Sequence, residues 1–132
     1  MIPTNVFVQR FRAVTSQGYL PTTLIAAWAE IIERCEAGYD DNLDEYRNDV
    51  GIRDSIESVF SNEPLQECPQ MGWVREHVAA LDLRFRALLQ QDVVMPGPLV
   101  DPWWHRHPLR YAGADAAAEY ARYGIQVQVR SG

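Results

Sequence analysis

The chain has 132 residues, 47% of them hydrophobic, with 18 acidic and 12 basic side chains and a net charge of −6. That size and composition suit one globular domain whose core needs no disulfide or metal to hold it. The negative balance disfavours a phosphate backbone as partner and favours a basic protein or a cationic ligand.

The charge is uneven. Residues 1–66 carry 11 acids against 5 arginines, and residues 67–132 carry 7 of each. There is no lysine, a pattern that a GC-rich coding bias explains as well as any functional demand. No run approaches 18 apolar residues, so no membrane span is expected. The N-terminal "MIPTNVFVQRFR" lacks a charged leader followed by an apolar stretch. A cytoplasmic protein with Cys35 and Cys68 as free thiols is the expectation.

In chain order, Phe7, Phe11 and Val14 line one face of a helix over Asn5–Gln17, capped by Thr4 or Asn5 and ended by Gly18. A second helix starts at Thr22 or Thr23, with Leu24, Trp28, Ile31, Ile32 and Cys35 as its apolar stripe. Cys35 reads as core packing, and Glu30 can pair with Arg34 at i, i+4. Asn42 with Glu45 three residues on has the form of a capping box, placing Leu43, Tyr46 and Val50 on one face. After Gly51 the apolar set turns to Ile52, Ile56, Val59 and Phe60, which predicts a kink or a break there. "SNEPLQECPQMG" reads as a loop. A long helix follows from Trp73 to Gln91, with Asp82 and Arg86 as an i, i+4 pair and His77 beside the buried stripe.

The segment 93–112 is different in kind. Four prolines and the run "DPWWHRHPLR" predict an irregular, extended stretch. Asp115 starts a short helix to Tyr123. Ile125, Val127 and Val129 then alternate with polar residues as in a strand. Its partner would be the Leu99 region or Val6–Val8. Left unpaired, it is an edge through which a homodimer could form. The expected fold is all-α: a single-domain bundle of four to five helices over 5–91, the aromatic segment 93–112, and a short helix with one strand over 113–130.

Motifs for chemistry are sparse. Asp40, Asn42 and Asp44 resemble the front of a calcium loop. The sixth and twelfth positions hold Glu45 and Gly51 where glycine and glutamate are required. His105 and His107, two apart in extended chain, would point the same way and could share a metal with Asp101, yet no further ligand pair has a recognisable spacing. No nucleophile elbow, phosphate loop or dinucleotide fingerprint occurs, and Glu67 beside Cys68 disfavours a thiolate. No cofactor is expected, and an enzyme is the weaker reading.

The stronger reading is a protein-binding domain. Glu36, Asp40, Asp41, Asp44, Glu45 and Asp49 form a run answered locally by Arg47 alone. Trp103, Trp104, Arg106, Arg110 and Tyr111 bring the residue types that anchor interfaces. In size, charge and helicity, though in no motif, the chain resembles bacterial immunity and antitoxin proteins. That likeness implies inhibition of a basic toxin by an acidic face and an aromatic–arginine anchor, without nucleic-acid or membrane contact. The alternative is a small metal-dependent or acid/base enzyme built on Asp101, His105 and His107.

Overall fold

A computed structural model describes residues 2–96 and 102–130 and is all-α apart from one two-stranded parallel sheet. The helix α2 (Pro21–Glu36) is the central element, because its stripe is continuous: Leu24, Trp28, Ile32 and Cys35 are all buried. Pro21 occupies the first turn, where its missing amide costs nothing. The helix α6 (Met71–Arg86) packs along α2, with Trp28 and Phe85 rings 4.9 Å apart. The helix α1 (Thr4–Val14) adds Phe7 and Phe11 from the side. Pro3, not Thr4 or Asn5, precedes its first turn, and no side chain caps it.

Asn42 caps α3 (Leu43–Val50), its side chain accepting from the Glu45 amide at 2.8 Å. Gly51 separates α3 from α4 (Ile52–Phe60), so the rotated apolar face does mark a break. The stretch expected as loop contains a one-turn helix, α5 (Glu63–Gln66), capped by Asn62 and started with Pro64. The last long helix closes at Arg86, short of Gln91. Beyond it Leu89 bridges to Leu109, and the amides of Gln90 and Arg110 donate across to Pro108 and Leu88. A returning segment thus takes the bonds that one more helical turn would have used.

The aromatic segment is not extended throughout. Trp103–Arg106 form a helical turn, α7, entered from Pro102. Two strands follow, β1 (Tyr111–Ala112) and β2 (Gln128–Val129), joined by α8 (Ala114–Arg122) and paired in parallel with Tyr111 opposite Gln128. The C-terminal strand therefore pairs neither with Val6–Val8 nor alone. Leu99 lies outside the described residues. Ala112 bridges in turn to Tyr39, which ties the small sheet to the end of α2. No described helix is long and apolar enough to cross a membrane.

Candidate functional site

Two surfaces follow from the sequence, and the structure treats them differently. The aromatic segment is clamped onto α4. Asp54 receives the Trp104 indole N–H at 3.0 Å on one oxygen and faces His105 Nε2 at 2.9 Å with the other. The neighbouring Arg53 is buried, and its guanidinium forks onto Asp82 at 2.9 and 3.0 Å while reaching Glu57 at 3.4 Å. Asp82 also accepts from the Trp28 indole at 3.1 Å. Arg53 lies 4.4 Å from the Trp104 ring, and Arg86 covers Trp103 at 3.8 Å. The expected Asp82–Arg86 pair is thus replaced: Asp82 turns inward to a buried cation and Arg86 outward to an indole face.

In consequence the anchor residues part company. Trp104 is 3% exposed and belongs to the core. Trp103 is half-buried between its neighbours and Arg86. Arg106 is half-buried, Arg110 is exposed, and Tyr111 lies under the Arg130 guanidinium at 3.4 Å. The helical turn also rotates His105 and His107 out of the common direction that extended chain gives. His105 faces Asp54, and His107 Nδ1 donates to the Val93 carbonyl at 2.7 Å. Asp101 lies outside the described residues, and among those described no three His, Cys, Asp or Glu side chains gather as a metal-holding group. His77, beside the buried stripe in sequence, is exposed. It stacks on Trp73 and bonds that residue's carbonyl.

The acidic run meets arginines that local spacing does not reveal. Arg84 of α6 reaches Glu36 at 2.6 Å. Arg34 of α2 spans Asp40 at 2.8 Å and Asp49 at 3.0 Å, in place of the expected Glu30. Tyr39 donates to Asp49 at 2.6 Å and lies under Arg34. The Arg34 hydrogen bond holds the Asp40 carboxyl below its usual pKa, while burial, then the bond to Asp49, pushes the Tyr39 phenol up. Arg47 sits 3.4 Å from Asp44, whose side chain is 93% exposed. Asp41 accepts the Asn42 amide, and Glu45 is exposed. Six acids against Arg34, Arg47 and Arg84 leave an excess of three negative charges. Most of it falls on the first turn of α3, where Glu119 of α8 also approaches the Leu43 amide at 3.4 Å. A polar groove of about 560 Å³ opens at the other end of α3, with Glu30, Arg34, Asn48 and Asp49 on its walls.

Arg34, Arg53, Asp54, Arg84 and Glu119 thus organise both surfaces. Most of their contacts join residues far apart in the chain, a distance over which sequence spacing carries no signal. Comparison with known proteins adds no assignment: no family model, no curated protein and no solved structure matches the chain.

Proposed function

We propose that the chain is a cytoplasmic protein-binding domain of the immunity or antitoxin type, which engages a basic partner such as a toxin domain through the start of α3. The observation that carries this reading is the charge left over after internal pairing. Asp44 and Glu45 are exposed on the first turn of α3, and the half-buried Asp41 stands just ahead of it. Exposed ion pairs like those of Asp40 and Asp44 are weak, so a partner's cations can exchange with them at little cost. Trp103 under Arg86, with Arg106 and Arg110 nearby in sequence, supplies the longer-lived contact. Trp104 contributes by holding that segment in place. Charges at such a rim govern the rate of encounter more than the lifetime of the complex.

The test is a binding titration against the products of neighbouring genes at several salt concentrations. We expect a complex whose association slows as salt rises, and about tenfold slower association for Asp41→Asn/Asp44→Asn/Glu45→Gln. Failure of every neighbour to bind at micromolar concentration rejects the reading.

A further inference from the structure

The polar groove at the C-terminal end of α3 collects groups that the fold does not use. Ala27, Glu30, Ile31 and Arg34 share one face of α2 by helical spacing, and they line the groove together with Asp49 of α3 and Ile52 of α4. Glu30 has neither ion pair nor hydrogen bond among the described residues, since Arg34 turns instead to Asp40 and Asp49. Asp49 takes both Arg34 and Tyr39 on Oδ2, which leaves Oδ1 open. The Tyr19 hydroxyl, the Asn48 amide and the Ser55 hydroxyl also line the groove without an internal partner among the described residues. The apolar part of the lining, Ala27, Ile31 and Ile52, is half-buried. Convergent polar groups set around an apolar lining are what a small ligand requires.

We propose that this groove binds an aliphatic amine, a diamine or polyamine whose ammonium ends meet Glu30 and Asp49 Oδ1 while its methylene stem lies along Ala27, Ile31 and Ile52. An ammonium is a compact charge with three donors, so it can meet a carboxylate oxygen and neutral acceptors together. The methylene stem is the part that such a cation buries. A bare divalent ion would seek oxygens alone and leave the apolar lining uncovered. The charge also fits. Three carboxylates, Glu30, Asp40 and Asp49, less the one Arg34 among them leave two negative charges, which the two ends of a diamine balance. Arg12 reaches the nearby Gly18 carbonyl but does not line the groove. The same ammonium and stem end a lysine side chain, so the test must separate a free amine from a partner's lysine. The acidic start of α3 lies at the opposite end of that helix, and this site does not rest on it.

Calorimetric titration with cadaverine and spermidine, and with lysine blocked at both backbone ends, tests the proposal. We expect both free amines to bind more tightly than blocked lysine, which brings one ammonium only. The reverse order would overturn the assignment in favour of a partner's side chain. Glu30→Gln should weaken cadaverine about fivefold, the worth of one exposed ion pair, and cannot harm the fold through a lost internal contact. Ala27→Leu, which fills the apolar lining, should abolish binding. Asp115→Asn removes the same charge from an exposed site elsewhere and should leave binding unchanged. No binding at millimolar amine, equal binding of neutral pentanediol, or the same loss from Asp115→Asn as from Glu30→Gln would each overturn the proposal. None of these outcomes bears on the titration against a basic partner.

Discussion

Arg53 has the most demanding position of any described side chain. It is the one charged residue of the buried set, at 5% exposure, and a cation there is tolerated only while its forked partner remains. Asp82→Asn keeps an acceptor for the Trp28 indole but removes the charge that answers Arg53. We expect a loss of about 3 kcal/mol, the low end for a broken buried pair because Glu57 stays within reach. Adding Arg53→Met should recover more than half, since an apolar side chain leaves no charge stranded. Urea unfolding of the single and double variants measures both, and equal stabilities would refute the pairing's role. None of this is legible from spacing. The i, i+4 rule offers Arg86 to Asp82 and Glu30 to Arg34, and in each case a partner brought by the fold wins. Tertiary neighbours can surround a group, whereas a helical neighbour holds it only from one side.

At the level of elements, sequence reasoning succeeds where the cause is local. The apolar stripe of α2, the Asn42 cap and the break at Gly51 are each set by residues within one or two turns. α5 could also have been found, since Asn62 followed by Pro64 is a starting signal. The turn at Trp103–Arg106 is harder. Pro102 permits it as an N-cap, but only the clamp on Asp54 selects it over extended chain, and that choice decides where both histidines go. Gly38 shows the opposite dependence, a local residue fixed by a distant one. Its φ is 96°, and an added Cβ would strike the Arg130 carbonyl and side chain. Gly38→Ala should therefore cost about 2–3 kcal/mol through backbone strain and a displaced β2. Thermal melting checks this, and an unchanged midpoint would mean that β2 does not pack there.

Across the whole molecule, the buried phenols set an upper pH limit. Burial raises the pKa of Tyr39, Tyr46 and Tyr120 and pushes the Cys35 thiol up to about 12. All four are neutral when folded. Unfolded, the phenols ionise near pH 10 and the thiol about a unit and a half lower, so the unfolded chain sheds protons that the folded one keeps. Their contribution is intact below those values and declines above them, by about 1.4 kcal/mol per group for each pH unit. Phenolate absorbance from these tyrosines should rise together with loss of helical circular dichroism. Full ionisation of all six tyrosines in a still-helical protein would contradict the buried cluster. Of the sheet that closes over this cluster, the sequence pattern indicates only β2, and it offers the Leu99 region or Val6–Val8 as mate where Tyr111–Ala112 takes that place. β1 and its bridge to Tyr39 lack any alternating pattern of their own.

That bridge constrains the order of assembly. Ala112 meets Tyr39 from 73 positions further along the chain (112 less 39) and receives β2 on its other side. Closing so large a loop is entropically slow, while α2, α3 and α4 need only nearby contacts. The helices should therefore condense first, leaving the end of α2 uncovered until the β1–α8–β2 unit docks. That docking step, rather than helix formation, would then limit the rate of refolding.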